Sequence, residues 1–196
     1  MREFLIGRDF IGVHPWDCCT WSGEALARLA DALSADGRTG VGEIGLDRLK
    51  AREIPPLMRR AFEDQLALAA EYSRPVVLHG AKCWGQVVAA LAAFAGKIPS
   101  FLFHGFSRSD GLIADIVKVN GFISVGPAIL NAHAVNYRAL AAKIPADRLL
   151  VETDRTEASG EVSARQVLEA LARVRGVAAE ELERVTDENA ERFFRP

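Results

Sequence analysis

Four side chains that are able to bind a divalent metal ion each follow a short apolar segment of the chain: Glu43, His79, His104 and Asp154. The segments before the two histidines read Val-Val-Leu and Phe-Leu-Phe, and Leu-Leu-Val precedes the Glu-Thr-Asp run that ends at Asp154. Imidazole and carboxylate groups together suit a cation such as Zn²⁺, Mn²⁺ or Mg²⁺. A carboxylate can also bridge two ions, as in two-metal hydrolysis. These residue types predict metal-assisted hydrolysis if the fold brings them together.

Each of these residues also has a structural interpretation. A single histidine after an apolar run is more often hydrogen-bonded within a core or loop, and Asp154 could cap the segment that follows it. Glu43 could be a buried ion-pair partner, although a carboxylate within Gly-Val-Gly-Glu-Ile-Gly is costly to bury without a cation. Residue spacing alone leaves the metal-binding and the structural interpretations open.

The elements that would position these residues alternate along the chain. Short segments rich in Val, Ile, Leu and Phe predict buried parallel strands over Asp9–His14, Thr39–Ile44, Pro75–His79, Ser100–His104, Gly121–Val125 and Arg148–Glu152. Longer amphipathic segments predict helices over Glu24–Leu33, Leu57–Glu71, Gly85–Phe94, Leu112–Val119, Ala134–Lys143, Val167–Val174 and Thr186–Phe194. Ser163 and Gln166 form a capping-box pattern. This alternation predicts an α/β fold with a parallel sheet.

The alternation does not by itself separate a barrel from an open doubly wound sheet. No G-x-G-x-x-G follows the first predicted strand, so the dinucleotide-binding pattern is missing. In barrels the active site is built at the carboxyl ends of the strands, where the four candidate ligands stand. Their placement therefore favours a barrel.

Length and composition limit the classes of protein that remain. The chain has 196 residues, which fits one domain over residues 1–196, and its net charge of -2 argues against a general polyanion-binding surface. The three cysteines form no C-x-x-C pair, so a thiolate zinc site is not expected. No apolar run is long enough for a membrane span, and the charged Met1–Phe10 does not read as a signal peptide. We therefore expect a cytoplasmic protein.

A set of short motifs runs in order from about Gly12 to Phe194. Its members are Gly12–Trp16 (G-V-H-P-W), Gly42–Asp47 (G-E-I-G-L-D), Phe62–Ala69 (F-x-x-Q-L-x-L-A), Pro75–His79 (P-V-V-L-H), His104–Phe106 (H-G-F), Leu149–Asp154 (L-L-V-E-T-D) and Glu188–Phe194 (E-N-A-E-R-F-F). The set resembles the signature motifs of TatD-type metal-dependent hydrolases, often described as deoxyribonucleases. The ordered set is far more specific than any one motif.

The resemblance implies a TIM-like (β/α) barrel and a role for each of the four residues. Glu43 would bridge two metal ions, His79 and His104 would hold one of them, and Asp154 would contribute to the other. Asp154 would also orient or deprotonate the attacking water, so Asp154 and Glu43 are the implied catalytic residues. The implied cofactor is one or two divalent ions (Zn²⁺, Mn²⁺ or Mg²⁺) per chain, and the implied substrates are phosphoesters, most often DNA ends.

The sequence departs from the family pattern in three places. It contains no H-x-H, the motif by which the family's first strand supplies two further metal ligands. Lys82 stands near the arginine of the usual H-x-R-x-A, and Arg155 follows E-T-D. Either cation could contact a substrate phosphate or could be a solvated surface charge. His14, in the G-V-H-P segment, is the third candidate substrate-binding residue.

The missing H-x-H segment leads to two expectations. A barrel that is incomplete at its N-terminal strand has two unpaired edges, which predicts a homodimer through the open edge or a gap covered by Met1–Leu5 or by the C-terminal helices. Loss of two ligands predicts one bound metal with low or absent hydrolysis. If the native chain extends further upstream and carries an in-frame H-x-H there, the two-metal site would be restored.

Three functions follow from these residues. The first is a metal-dependent, DNase-like hydrolase of phosphoester bonds that is impaired by the loss of two ligands. The second is a catalytically silent TatD-like protein with a binding or scaffold role. The third is an amidohydrolase-type enzyme that acts on C–N bonds, for which barrel analogy is the only support.

Overall fold

The computed structural model describes residues 9–49, 52–107, 110–154 and 162–194. Within these ranges six strands form one parallel sheet: β1 (Phe10–Ile11), β2 (Gly40–Asp47), β3 (Val76–Ala81), β4 (Phe101–Phe103), β5 (Gly121–Val125) and β6 (Leu149–Val151). The strand segments are mainly buried, which explains why their sequences are apolar on both faces.

The strands follow one another in the sheet in the same order as in the chain, from β1 to β6. All five neighbouring pairs are parallel. A doubly wound sheet needs a point at which the strand order reverses, and this order has none. The sheet is therefore singly wound, as in a barrel. Among the described residues β1 and β6 are its edges, which leaves the barrel open between them.

Seven helices accompany the strands in the described part of the chain: α1 (Gly23–Ala35), α2 (Pro56–Glu71), α3 (Trp84–Leu91), α4 (Ile113–Lys118), α5 (Val135–Lys143), α6 (Ala164–Arg175) and α7 (Ala179–Phe194). The predicted capping box is confirmed, because Ser163 accepts a hydrogen bond from the backbone N–H of Gln166 at 3.2 Å and the Gln166 side chain accepts one from the backbone of Ser163. Gly176 ends α6 in the left-handed conformation, with φ of 68°.

Several predicted boundaries differ from the structure, for example the end of β2, which lies at Asp47 rather than Ile44. Two of the differences have a clear physical reason. The first strand ends at Ile11 rather than His14, because Pro15 begins a 3₁₀ helix over Pro15–Thr20. The last helix begins at Ala179 rather than Thr186, with acidic residues in its first turn that suit the helix dipole. None of the helices in the described ranges combines the length and apolarity that a membrane span requires.

A second apolar cluster lies apart from the main core and joins the strands to α7. It contains Phe10, Val77, Phe122, Leu150, Ala190 and Phe193. The rings of Phe193 and Phe194 lie 5.9 and 5.2 Å from the ring of Phe10 in β1. At the other edge, the side-chain amide of Asn189 donates to the carbonyl of Leu149 in β6 at 2.8 Å. Helix α7 therefore contacts both edge strands.

The apolar cluster occupies the end of the sheet where the strands begin. Ser100, just before β4, donates its hydroxyl to the carbonyl of Phe193 at 2.7 Å. Asn189 also donates to the carbonyl of Ala146, just before β6, at 2.7 Å. The carboxyl ends of the strands, where the candidate ligands stand, lie at the opposite end.

Candidate metal centre

Glu43 lies within β2, where the pairing of β2 with β3 is irregular. Val41 pairs with Val76 and Ile44 with Leu78, so three steps along β2 match two along β3. Such a bulge turns one side chain out of the regular alternation of the strand. The carboxylate of Glu43, which is largely buried, reaches the imidazole of His79, with 3.0 Å between Oε1 and Nδ1.

Gly45 allows β2 and β3 to approach closely beside the histidine. A Cβ atom at this position would collide with the carbonyl oxygen of His79. Glycine is therefore required by the close passage of the two backbones. The short distance between the backbones of β2 and β3 at Gly45 also sets the position of His79 relative to Glu43.

Asp47 holds His79 from the side that faces away from Glu43. The Nε2–H of His79 donates to Asp47 Oδ2 at 3.0 Å. Asp47 also accepts the indole N–H of Trp16 at 2.8 Å and the backbone N–H of Leu49 at 2.6 Å. Its side chain is 1% exposed. A carboxylate behind a ligating histidine fixes the ring and leaves the other nitrogen for a metal, here Nδ1.

Glu152 holds His104 in the same way at the ends of β4 and β6. The Nδ1–H of His104 donates to Glu152 Oε2 at 2.6 Å. Glu152 also accepts the backbone N–H of Gly105 at 3.1 Å and the hydroxyl of Ser124. The other nitrogen of His104, Nε2, lies 3.3 Å from Asp154 Oδ1 and 4.0 Å from Glu43 Oε1.

The surroundings of His104 stabilise its positive charge. Burial opposes protonation, but the charge of Glu152 and the hydrogen bonds to Asp154 and Glu152 outweigh burial and raise the pKa of His104 to about 11. In the other direction, the hydrogen bond from His104 lowers the pKa of Asp154 despite partial burial. Asp154 is therefore ionised at neutral pH.

His79 and Glu43 stabilise each other's charges. Burial opposes protonation of His79, yet its hydrogen bonds to Glu43 and Asp47 raise its pKa above the ordinary value. Burial likewise works to raise the pKa of Glu43, and the hydrogen bond from His79 and the charge on His104 lower it overall. Without a metal, protons on His79 Nδ1 and His104 Nε2 face the carboxylates of Glu43 and Asp154. A bound cation would take the place of these protons.

His14 lies beside His79, with 3.3 Å between its Nε2 and the Nδ1 of His79. The ligand atoms of His14, Glu43 and His79 lie within 4.8 Å of one another, a spacing that could hold a metal ion. However, the Nδ1 of His14 accepts the backbone N–H of Trp16 at 3.1 Å. A neutral imidazole with this acceptor carries its proton on Nε2. That proton and one on the Nδ1 of His79 cannot both lie in the 3.3 Å contact, so the role of His14 depends on whether His79 has lost its Nδ1 proton.

Gln65 of α2 holds the segment that carries His14. Its side-chain oxygen accepts the backbone N–H of Val13 at 2.7 Å, and its nitrogen donates to the carbonyl of Val13 at 3.2 Å. Gln65 also donates to the carbonyl of Ala61 at 3.0 Å and is buried. The glutamine of the F-x-x-Q-L motif therefore anchors the chain next to the centre.

The structure brings together the four predicted ligands, with His14 beside them. Lys82 is exposed after β3, with φ of 57°, and Arg155 lies outside the described residues. Their roles in binding stay predictions. Sequence reasoning assigned no role to Asp47 and Glu152, although both stand in quoted motifs. Asp47 stands four residues after Glu43, and Glu152 stands two residues before Asp154. This closeness to a predicted ligand was the available signal.

The donor set fits a divalent cation. Contacts of 3.0, 4.0 and 3.3 Å join His79 to Glu43, Glu43 to His104, and His104 to Asp154 in turn, and a further carboxylate fixes each histidine. Among the described residues, the ligand atoms that lie within 4.8 Å of one another are those of His14, Glu43 and His79. A singly wound parallel barrel with such a set at the carboxyl ends of its strands defines a class of protein, the metal-dependent hydrolases of the α/β-barrel type.

Comparisons with known proteins identify the family within this class. The family model described as TatD related DNase matches residues 8–195. The 3'-5' ssDNA/RNA exonuclease TatD of Pectobacterium parmentieri (strain WPP163) is 33% identical over 198 residues, which cover 94% of this chain and 76% of that protein. The uncharacterized metal-dependent hydrolase YabD of Bacillus subtilis (strain 168) is 28% identical over 206 residues, which cover 98% of this chain and 81% of YabD.

A solved structure agrees with these relatives. The crystal structure of YJJV, a TatD homologue from Escherichia coli K12, matches 95% of this chain and 76% of its own chain, with a TM-score of 0.82 and 28% identity. The chain belongs to the TatD-related DNase family. The predicted family and the predicted α/β, TIM-like barrel are confirmed, and the sheet formed by the described residues is not closed between β1 and β6.

Proposed function

We propose that this protein is a metal-dependent hydrolase that cleaves phosphoester bonds at the ends of nucleic acid chains. The observation that carries the proposal is the series of contacts that joins His79 to Glu43, Glu43 to His104, and His104 to Asp154. The remaining nitrogen of each histidine is held by a second, largely buried carboxylate, Asp47 for His79 and Glu152 for His104. The name of the Pectobacterium relative, a 3'-5' ssDNA/RNA exonuclease, supports a phosphoester substrate.

In this proposal the four residues hold the ion and Asp154 also acts on water. A divalent ion held there would polarise a phosphoryl oxygen and lower the pKa of a bound water. Asp154 combines an ionised carboxylate with a side chain that is 62% exposed, so it is able to accept a proton from an attacking water. Glu43 lies between the two histidines and holds the centre together.

The substrate phosphate would meet donors supplied by the chain. His14 directs its Nε2 toward His79 and Glu43, where an N–H would donate to a phosphoryl oxygen. Lys82 and Arg155 are the two further phosphate contacts predicted from the sequence. With a net charge of -2 for the whole chain, we expect phosphate binding to depend on these local contacts.

For the 196-residue chain we propose one bound ion and slow hydrolysis. The chain has four histidines, none of which forms an H-x-H pair. Elemental analysis of the purified protein, combined with titration of Mn²⁺ or Zn²⁺ into protein that has been treated with a chelator, measures the number of ions. Two tightly held ions per chain would contradict this part of the proposal.

The test of the function is metal-dependent release of nucleotides from single-stranded DNA and RNA in the presence of Mg²⁺, Mn²⁺ or Zn²⁺. We expect Glu43→Ala and Asp154→Ala each to lower the rate about 10³-fold, because several kcal/mol of transition-state stabilisation depend on the held ion. Glu24→Ala is the control, since Glu24 forms an exposed ion pair with Arg28 on α1 and should leave the rate unchanged.

Other outcomes point to the other two functions. No turnover with any of the three ions would contradict the proposal and support a catalytically silent protein with a binding or scaffold role. Hydrolysis of amides or lactones without cleavage of phosphoesters would support an amidohydrolase-type enzyme. Turnover that survives Glu43→Ala or a chelator would exclude this centre as the site of reaction.

The proposed homodimer concerns the open edges of the sheet. Unpaired strands offer backbone N–H and C=O groups to a second chain. Contact of α7 with both β1 and β6 favours the other arrangement predicted from the sequence, in which a C-terminal helix covers the gap within one chain. Solution mass distinguishes them, because a mass near 21.3 kDa contradicts the dimer and twice that mass supports it.

A further inference from the structure

Trp16 is an exposed aromatic residue beside the metal centre. It lies in the 3₁₀ helix that follows β1, and 57% of its surface is exposed. The other two tryptophans, Trp21 and Trp84, are 7% and 4% exposed. Trp16 therefore buries less of its surface than either of the other two and gains less free energy from burial. This exposure beside a reactive centre calls for a functional explanation.

The position of Trp16 is fixed by the centre itself. Its indole N–H donates to Asp47 Oδ2 at 2.8 Å, and the same oxygen accepts the Nε2–H of His79 at 3.0 Å. Its ring meets the ring of His14 nearly edge-on, with 5.0 Å between centroids and an interplanar angle of 80°. The ring of His79 lies 6.2 Å away. One buried carboxylate therefore orients both a candidate metal ligand and the tryptophan.

The chemistry that Trp16 offers to a ligand is that of an aromatic surface. Its polar N–H is already bound to Asp47, so it is not placed to donate to a phosphate. A held aromatic plane suits a partner with a π-face of its own, and every nucleobase has one. Because Trp16 lies against His14, a base on this plane would belong to a nucleotide whose phosphate is at the centre.

We propose that Trp16 is a stacking platform for an unpaired terminal nucleobase of the substrate. The inference rests on the proposed function, since it places the scissile phosphodiester at the cluster of Glu43, His79, His104 and Asp154. Stacking tolerates any base, so the platform selects for unpaired nucleic acid ends over phosphate esters that lack a base. Such a platform would not distinguish one base sequence from another.

The experiment measures binding separately from hydrolysis. Oligodeoxynucleotides carry fluorescein at one end, and the opposite end carries either a normal nucleotide or an abasic one. The last linkage is a phosphorothioate, so that the probe resists cleavage. Fluorescence anisotropy in Mn²⁺ then compares the Kd of the two probes, and a second pair with label and abasic site exchanged identifies which end is bound.

We expect the wild-type protein to bind the normal end between about 5-fold and about 150-fold more tightly than the abasic end. Trp16→Leu should bind both probes equally, with the affinity of wild type for the abasic probe. Trp16→Phe should keep most of the preference, because it keeps a ring. Leu49→Ala, which removes an exposed apolar side chain two residues after Asp47, should keep all of it.

The abasic probe separates stacking from a structural effect on the centre. If loss of Trp16 acted only through Asp47 and His79, both probes would lose affinity equally and the preference would remain, which would overturn the proposal. Equal binding of the two probes by the wild-type protein would also overturn it. A clear preference in a protein that hydrolyses no phosphoester would refute the proposed function and leave the stacking platform standing.

Discussion

The metal centre has two sides, and each holds its histidine with a carboxylate. The His79 side consists of His14, Trp16, Asp47 and His79. Its carboxylate is buried and accepts three N–H groups, two of which belong to residues other than the histidine. The His104 side consists of His104, Glu152 and Asp154. Its histidine contacts one carboxylate at each nitrogen, at 2.6 and 3.3 Å.

The difference separates two tasks. On the His79 side a second imidazole stands next to the first, and burial together with the positive charge of His79 lowers the pKa of His14. Both histidines have a carboxylate at each nitrogen, since Glu43 and Asp47 contact His79. Within the described contacts, however, no second imidazole stands beside His104, and the pKa of His104 is raised to about 11. The His104 side therefore supplies the attraction for a cation. The His79 side supplies position, both for a ligand and for Trp16.

We expect the largest difference between the two sides when the carboxylates that hold the histidines, Glu152 and Asp47, are each replaced by the matching amide. Glu152→Gln keeps an oxygen that accepts from His104 but removes the charge, so we expect metal affinity to fall about 10- to 100-fold. Asp47→Asn should lower metal affinity less and should lower the melting temperature more, because three N–H donors depend on a buried carboxylate. Calorimetric titration with Mn²⁺ and thermal unfolding measure the two quantities.

The opposite ranking would break the comparison. A larger loss of metal affinity in Asp47→Asn than in Glu152→Gln would mean that the His79 side dominates cation binding. Glu169→Gln, at an exposed ion pair with Arg165, is the matched control and should change neither quantity measurably.

Much of this arrangement is predictable from the sequence, because the strands are buried on both faces. Continuous apolar runs locate the strands, and a polar residue directly after such a run marks the carboxyl end of a strand. This pattern locates Glu43, His79, His104 and Asp154 without any contact information. It places the ends of two strands too early, because β2 continues past Glu43 to Asp47 and β3 continues past His79 to Ala81. The roles of these residues in catalysis stay predictions.

The choice between neighbouring carboxylates could not be predicted in this way. Glu152 and Asp154 are two residues apart, and which of them faces the cation depends on the turn of the chain after β6, where Asp154 has φ of 46°. The irregular pairing of β2 with β3 similarly decides that Glu43 and Asp47 approach different nitrogens of His79. Both features arise from tertiary structure and leave no periodic pattern in the sequence.

The second prediction concerns pH and acts mainly on the His104 side. The Nε2 of His104 must lose its proton before it can ligate a metal, and without a cation its pKa is about 11. Metal affinity should therefore rise with pH, about tenfold per unit for each proton released. Calorimetric titration at pH 6 to 8 in buffers of different ionisation enthalpy counts the protons.

The free energy of unfolding of the metal-free protein should fall as pH rises, whereas metal affinity should rise. The pKa of His104 in the folded chain is above the ordinary value of 6.5, so its contribution to stability is complete below about pH 6.5 and is lost as pH rises toward about 11. Thermal unfolding of chelator-treated protein should show this loss, and Glu152→Gln should reduce it. A metal affinity that is independent of pH would contradict the charge assigned to the His104 side.

The smallest effect is expected from the backbone of the His79 side. A Cβ at Gly45 would collide with the carbonyl oxygen of His79, so Gly45→Ala must separate β2 from β3. We expect a loss of about 1–3 kcal/mol in the free energy of unfolding, together with weaker metal binding through displacement of His79.

The control is Gly23→Ala at the start of α1, where an added Cβ meets no atom within 4 Å. This variant should be neutral or should stabilise the fold by up to about 1 kcal/mol. Urea unfolding and Mn²⁺ titration of both variants measure these quantities. If Gly45→Ala lost stability but kept its metal affinity, the close passage of the strands would serve packing alone, and the positioning of His79 would have to come from Asp47.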